Sequence, residues 1–155
     1  VLEEAAHALG HSSPNPAVGA VLVRDGEVVG RGHTQPPGQA HAEVMALALA
    51  EQTLGIYELA SQGSFELVTS VEPCCQCLGI LVWAGVTSIV CGAHSQDAEA
   101  VGFNEGPRLP NWEQELVQRG ISVTREVMRP QAVEVLQSYT GKIYNCHLQI
   151  SNQVR

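Results

Sequence analysis

The sequence has few basic residues, no long apolar run and no cysteine pattern typical of a disulfide-bonded protein. Its 155 residues contain 8 lysines and arginines against 16 aspartates and glutamates, which gives a formal net charge of −8 at pH 7. The basic residues are scattered along the chain and do not form the cluster with which nucleic-acid binders displace counterions. We therefore expect no nucleic-acid partner.

No apolar segment approaches the roughly 18 residues that a membrane-spanning helix needs, and no signal peptide opens the sequence. The chain begins at Val1 without a methionine, so we expect further residues to precede it. The number of cysteines is odd, at five, and three of them, Cys74, Cys75 and Cys77, stand within four residues. A secreted disulfide protein usually has an even number of cysteines spread along the chain. These features predict a cytoplasmic protein that does not enter a membrane.

Segments typical of helices and strands alternate along the chain, with no repeat or low-complexity tract between them. Asp25-Gly26 is typical of a tight hairpin turn between two strands. The predicted helices cover 1–9, 41–52, 74–85, 111–120 and 130–141, and the predicted strands cover 17–23, 27–32, 65–71, 88–93 and 121–127. The predicted buried stripe of the second helix comprises Val44, Met45, Leu47 and Ala48.

This order predicts one α/β domain over residues 1–155, with three α/β/α layers around a mixed five-stranded sheet that has helices on both faces. Strand–helix–strand steps give parallel neighbours through right-handed crossovers, whereas the opening hairpin adds an antiparallel pair. Residues 10–16 and 93–111 are predicted loops. The second loop is longer than an ordinary connection, which indicates a functional role.

The chemically informative residues are His41 and, 33 positions later, Cys74 and Cys77. The two cysteines follow Pro73 at a predicted helix start. Their i, i+3 spacing puts both sulfurs on one face, beside the partial positive charge that favours thiolates. With one imidazole they make three protein ligands, which is the ligand number of catalytic rather than structural zinc sites. We predict one Zn²⁺ per chain, bound by His41, Cys74 and Cys77.

Glu43 is the acid expected to act beside this metal. In a regular helix His41 and Glu43 point about 200° apart, so both can serve one site only if the helix begins near His41. Zinc lowers the pKa of a bound water toward ~7, and a neighbouring carboxylate can pass its proton to a leaving nitrogen. The pattern H-x-E…P-C-x-x-C occurs in zinc deaminases. Cys75, rotated about 100° from Cys74, is expected to pack rather than bind metal.

Beyond the metal motif, the sequence resembles the cytidine-deaminase-like zinc deaminases, whose fold is a layered α/β/α structure. Residues 66–107 (ELVTSVEPCCQCLGILVWAGVTSIVCGAHSQDAEAVGFNEGP) are most similar to bacterial guanine deaminases, as are NW at 111–112, RGISVT at 119–124 and IYN at 143–145. The resemblance implies conversion of guanine to xanthine with release of ammonia. It also implies a homodimer whose active site is closed by C-terminal residues.

The same resemblance implies roles for individual residues. The zinc ligands would be His41, Cys74 and Cys77, with Glu43 as the proton carrier. Glu105 falls on the family's acid that meets the purine edge. An ionised carboxylate suits that role because it only accepts hydrogen bonds, and an aminopurine presents N–H donors. The alternative is that Glu105 is a solvated loop acid.

The N-terminal part resembles instead the deaminase domain of riboflavin biosynthesis, through SPNPAVG at 13–19 and GRGH at 30–33. Guanine and tRNA adenosine deaminases usually carry an asparagine in the loop before the metal histidine, and residues 27–40 contain none. Asn15, held between two prolines, is the candidate for orienting the substrate in its place; the alternative is an ordinary turn residue. His33 is predicted to line the pocket.

Some aromatic, cysteine and histidine residues have no partner pattern. Trp83 is expected in the core, whereas Trp112 and Tyr144 are candidates for covering the pocket. Cys91 is a predicted buried strand residue and Cys146 an ordinary thiol near the C-terminus. Surface or core positions rather than metal ligation are expected for His7, His11, His94 and His147.

The favoured hypothesis is a zinc-dependent hydrolytic deaminase of a small amino-substituted heterocycle, with guanine first. A riboflavin-pathway deaminase is second, because its phosphorylated substrate needs a cationic pocket and no basic cluster is visible. The net charge of −8 disfavours a tRNA substrate. A zinc-stabilised scaffold or RNA-binding module is the alternative without catalysis. The presence of Glu43 argues against it, since structural zinc more often has four protein ligands.

Overall fold

The structure of the protein is a computed structural model that describes residues 1–36 and 39–139. Its helices and strands alternate along the chain, as the sequence predicts. In chain order they are α1 (Leu2–Ala8), β1 (Gly19–Arg24), β2 (Glu27–His33), α2 (Ala42–Leu54), a 3₁₀ turn (Ala60–Gln62), β3 (Phe65–Val71), α3 (Cys75–Ala84), β4 (Ser88–Ala93), α4 (Ser95–Val101), α5 (Trp112–Gln118), β5 (Ser122–Thr124) and α6 (Arg129–Gln137). In this described part, no helix is long and apolar enough to cross a membrane.

The strands form one mixed sheet in the order β2-β1-β3-β4-β5. β1 pairs antiparallel with β2 and β3, while β4 pairs parallel with β3 and β5. The hairpin turns where predicted, because Asp25 and Gly26 adopt the left-handed φ angles of 52° and 81° that an Asp-Gly turn accepts. Helices α2 and α3 cover one face, and α1 and α6 cover the other. The predicted α/β/α class is confirmed.

Two glycines of β2 allow α2 to lie directly against the sheet. A Cβ at Gly30 would collide with the carbonyl oxygen of Ala46, and one at Gly32 with that of Ala42. The predicted stripe was partly wrong, because Ala48 is exposed and small side chains in contact with these glycines face inward instead. The buried residues of α2 are Ala42, Glu43, Ala46, Leu47 and Ala50.

The prediction of a continuous loop over 93–111 was wrong, because the segment contains α4. His94 is the N-cap of this helix, and its backbone N–H donates to Asp97 Oδ2 at 2.8 Å. Arg129 of α6 donates to both carboxylate oxygens of Asp97, at 2.8 and 2.9 Å. A contact with a distant helix therefore stabilises α4, whose seven residues show no apolar periodicity of their own.

The prediction that Trp83 lies in the core was also wrong, since its exposed fraction is 87%. Helix α3 buries Cys77 and Leu81, which are one turn apart. Trp83 follows Leu81 by two positions and is rotated about 200° from it, so its side chain faces away from the sheet. Cys91 is fully buried in β4, as predicted.

Candidate functional site

The three predicted zinc donors meet where α2 and α3 begin. His41 is the N-cap of α2, Cys74 is the N-cap of α3, and Cys77 follows in the first turn of α3. His41 Nδ1 lies 3.4 Å from Cys74 Sγ and 3.5 Å from Cys77 Sγ. A tetrahedral ion with bonds of ~2.0 Å to nitrogen and ~2.3 Å to sulfur would hold such atoms about 3.5 Å apart. The three side chains therefore fit Zn²⁺ with little movement.

Hydrogen bonds and two helix N-termini favour a thiolate at Cys74. The Cys77 thiol and His41 donate to Cys74 Sγ and lower the pKa of Cys74 to about 4, although burial acts in the opposite direction. The hydrogen bond between Cys77 and Cys74 raises the pKa of Cys77, and the hydrogen bond between His41 and Cys74 raises the pKa of His41. The cluster therefore holds negative charge at a position where a cation can replace the shared protons.

Glu43 lies beside these donors because α2 begins immediately after His41. The helix starts at Ala42, so His41, as the N-cap, and Glu43, in the first turn, reach the same site. The exposed fraction of Glu43 is 4%. The pKa of Glu43 is raised to about 6, because burial and then the charge of Cys74 outweigh its hydrogen bonds and the charge of His41. A carboxyl group with such a pKa can both accept and donate a proton near neutral pH.

A cavity of about 220 Å³ opens beside the donors. It joins the ends of β2 and β3, the starts of α2 and α3, and two loops. Of the predicted substrate-binding residues, Asn15 and Glu105 line it. The lining residues are Asn15, Pro16, Val18, Thr34, His41, Glu43, Val71, Glu72, Cys74, Cys75, Gln76, Asn104, Glu105 and Gly106.

Glu105 is a buried acid rather than a solvated one, with an exposed fraction of 7%. Its pKa is raised to about 7, because burial and then the charges of Cys74 and Glu43 outweigh the opposing charge of Arg108. The segment carrying Glu105 passes tightly over Cys75, because a Cβ at Gly106 would lie only 2.7 Å from Cys75 Sγ. Cys75 thus packs beneath this segment and stands apart from the metal donors, as predicted.

A buried ion-pair network that the sequence analysis missed joins this segment to the end of β3. Glu72 Oε2 accepts hydrogen bonds from Arg108 Nη1 at 2.8 Å and from the Ser95 backbone N–H at 3.1 Å, and Glu72 Oε1 accepts one from Arg125 Nε at 2.6 Å. Burial alone would raise the pKa of Glu72, but these donors outweigh it and hold the pKa below its ordinary value. Sequence patterns show no such link, because the arginines lie far along the chain from Glu72.

Two of the predicted pocket residues lie elsewhere. His33 ends β2 and, by the alternation of the strand, points away from the face that Gly32 presents to α2; its Nδ1 lies 3.7 Å from Glu4 Oε2. Trp112 is buried, and the Arg108 guanidinium lies over its indole, with Cζ 4.2 Å from the ring centre. Trp112 does not line the cavity. Tyr144, Cys146 and the predicted C-terminal closure fall outside the described residues.

Comparisons with known proteins agree with this site. The family described as the cytidine and deoxycytidylate deaminase zinc-binding region matches residues 1–93. Guanine deaminase from Bacillus subtilis is 38% identical over 91 residues, which cover 56% of this chain and 56% of that protein. The riboflavin biosynthesis protein RibD from Escherichia coli is 32% identical over 136 residues, which cover 84% of this chain and 33% of that protein.

Among solved structures, guanine deaminase from Nitrosomonas europaea superposes with a TM-score of 0.76 at 37% identity, over 88% of this chain and 76% of that one. The chain spans about half the length of the Bacillus relative and a third of RibD. The family match covers more than half of the chain and includes His41, Glu43, Cys74 and Cys77. This chain belongs to the cytidine and deoxycytidylate deaminase family of zinc-binding proteins.

Proposed function

We propose that the protein hydrolyses the amino group of a free aminopurine, converting guanine to xanthine and ammonia. One observation carries the proposal: two buried carboxyl groups, Glu43 and Glu105, face the cavity in which the three zinc donors meet. One acid would move protons, and the other would bind the ring. The similarity to two guanine deaminases supports the choice of substrate.

Glu43 moves the protons in this proposal. When bound by His41, Cys74 and Cys77, Zn²⁺ lowers the pKa of water toward ~7 and so supplies a nucleophile at neutral pH. Glu43 accepts the proton of the attacking water and gives it to the ring nitrogen beside the amino-bearing carbon. It then takes the proton of the new hydroxyl group and gives it to the amine. The C–N bond breaks, the ring carbonyl forms and ammonia leaves.

Glu105 and Asn15 would orient the ring. An ionised Glu105 accepts hydrogen bonds from purine N–H groups, and the Asn15 amide can both donate and accept. No arginine or lysine lines the cavity in the part of the chain that the structure describes. The cavity volume also lies below the ~300 Å³ at which sites for drug-sized ligands begin. Both features favour a small, uncharged base over a phosphorylated substrate.

A diaminopyrimidine precursor of riboflavin is the second candidate substrate. The alignment with RibD covers more of this chain than the alignment with Bacillus guanine deaminase. The chemistry at Glu43 would be the same, so the two candidates differ only in how the ring and its substituents are held. A phosphorylated substrate would need cationic partners from outside the cavity lining described above.

An ammonia-release assay distinguishes these proposals. The zinc-loaded protein is offered guanine, guanosine, adenine, cytosine, cytidine, ammeline and the phosphorylated diaminopyrimidine, with Glu43→Gln protein as the control for contaminating activity. We expect release from guanine above all. Release from the diaminopyrimidine alone would overturn the purine assignment but keep the deaminase. Bound zinc without ammonia from any compound would favour a scaffold.

We also propose that the protein acts as a cytoplasmic homodimer. Helix α3 exposes Ile80 and Trp83, which stand three residues apart on its outer side, and Gly79 beside them faces open space. An exposed apolar face of this kind is typical of protein–protein contacts. Sedimentation equilibrium should give twice the chain mass, and Trp83→Glu should reduce it to the chain mass. A wild-type chain that stays monomeric would contradict the dimer.

A further inference from the structure

A second group of metal-ligating side chains lies on the opposite face of the sheet from the zinc donors. Glu4 and His7 stand three residues apart on α1, so both reach the same side of the helix. His33 meets them from the end of β2. The Nδ1 atoms of His7 and His33 each lie 3.7 Å from the same oxygen, Glu4 Oε2. One ligand atom from each residue falls within 4.8 Å of the others.

The backbone holds these three residues in place. A Cβ at Gly19 would collide with the backbone of Ala5, so α1 lies directly on β1. Ala5 is itself fully buried. His33 pairs with Gly19 across the sheet. The helix that carries Glu4 and His7 and the strand that carries His33 therefore share one fixed contact, and the cluster does not depend on a loop.

The distances in the cluster suit coordination better than direct hydrogen bonding. At 3.7 Å, each imidazole nitrogen is too far from Glu4 Oε2 for a hydrogen bond. An ion with bonds of ~2.0–2.1 Å to nitrogen and oxygen would hold such atoms about 3.4 Å apart, so small side-chain movements close the site. Arg31 Nη1 lies 3.7 Å from the other oxygen, Glu4 Oε1.

We propose that Glu4, His7 and His33 form a second binding site for a first-row divalent ion, with Zn²⁺ as the preferred occupant. Two imidazoles and one carboxylate are a known zinc donor set, and imidazole selects these ions over Mg²⁺ and Ca²⁺. The net charge of −8 adds a favourable field for a cation. The site ties α1 to β2 and is independent of the proposed deaminase reaction.

Titration of tag-free, metal-free protein with Co²⁺ and Zn²⁺ tests the proposal. Cobalt bound by Cys74 and Cys77 shows thiolate-to-metal charge-transfer absorption, whereas cobalt bound by nitrogen and oxygen does not. We expect two equivalents per chain, of which only one carries that absorption. His7→Ala and His33→Ala should each weaken the second equivalent at least tenfold. His11→Ala is the matched control, because this exposed histidine lies outside the cluster, and it should retain both equivalents.

Binding of a single equivalent by the wild-type chain at saturating metal would overturn the second site. So would a second equivalent that survives both His7→Ala and His33→Ala, since it would then reside elsewhere on the chain. Loss of the charge-transfer band, by contrast, would count against the His41–Cys74–Cys77 site and the proposed function. The two proposals therefore fail in different ways in the same titration.

Discussion

The metal half and the substrate half of the cavity are built differently. His41, Glu43, Cys74 and Cys77 belong to the first turns or caps of two helices, whose positions the sheet fixes. Glu105 stands on an irregular segment between α4 and α5, and this segment also carries Arg108, which is paired with buried Glu72. Chemistry that tolerates little movement thus rests on regular elements. In the proposed function, recognition of a particular ring would rest on loops, which can vary while the metal half stays the same.

The largest loss of activity is expected when the proposed proton carrier, Glu43, is removed from the metal half. Glu43→Gln keeps the size of the side chain but cannot accept a proton from water, so turnover should fall by about 10²–10⁴-fold, as for other general acid–base residues. Zinc content should remain at the wild-type level because Glu43 is not among the three donors. Ammonia release and metal analysis are measured on one sample. Near-normal turnover with full zinc would remove Glu43 from the mechanism.

Removing the acid of the substrate half should have the next largest effect. Glu105→Ala deletes a hydrogen-bond acceptor that is worth about 1.5–3 kcal/mol when ionised, so kcat/KM for guanine, measured above pH 7, should fall roughly 10- to 150-fold. Bound zinc should not change. Glu134→Ala is the matched control, because this acid is exposed on helix α6 and does not line the cavity. If the two variants have equal kinetics, Glu105 does not contact the ring.

Arg108 tests whether ion pairs position the substrate half. Arg108→Met removes a donor to buried Glu72, which should cost about 1–3 kcal/mol of stability and raise KM more than it lowers kcat. Arg108→Lys should restore part of the KM change. Arg119→Met, which breaks an exposed pair with Glu115, should change stability little, because surface ion pairs contribute little. Equal effects of Arg108→Met and Arg119→Met on KM would show that Arg108 has no positioning role.

The sequence predicted the metal half well because its signals are local. Spacing, a preceding proline and the strand-then-helix order place Cys74 and Cys77 at a helix start. The same reasoning required α2 to begin near His41, and it begins at Ala42 with His41 as its N-cap. The fold class followed from the alternation of segments and from the hairpin at Asp25-Gly26.

The substrate half was predicted less well because its contacts join distant parts of the chain. Glu72 meets Arg108 and Arg125, which are 36 and 53 positions away, and scattered basic residues give no sign of such convergence. Helix α4 is stabilised by Asp97 and Arg129, not by a periodic apolar stripe. Sequence reasoning placed Asn15 and Glu105 in this half, and both line the cavity, but Glu105 was assigned through a family resemblance and His33 was wrongly placed there.

Acid should weaken the same ion-pair network. The native pKa of Glu72 lies below its ordinary value, so its contribution to stability is present above the unfolded pKa of ~4.3 and is lost as pH falls through the lower native pKa. Urea unfolding of the wild type should therefore show a free energy that falls steeply below about pH 5. Glu72→Gln, compared at equal zinc content, should be less stable at pH 7 and less sensitive to acid. Parallel pH curves would rule out Glu72 as a cause.

The smallest effect is expected for Asn15→Ala. This variant distinguishes a substrate-orienting role of Asn15 from that of an ordinary turn residue. The turn around it uses backbone groups, since the Asn15 N–H donates to Ser12 O at 2.7 Å and the Asn15 carbonyl accepts from Ser12 Oγ at 3.0 Å. Asn15→Ala therefore keeps these hydrogen bonds and removes only the amide that lines the cavity. One neutral hydrogen bond is worth about 0.5–1.5 kcal/mol, so KM for guanine should rise roughly 2- to 12-fold with an unchanged thermal midpoint. An unchanged KM with a lower midpoint would make Asn15 a turn residue, and ring orientation would then rest on Glu105 and its ion-paired segment.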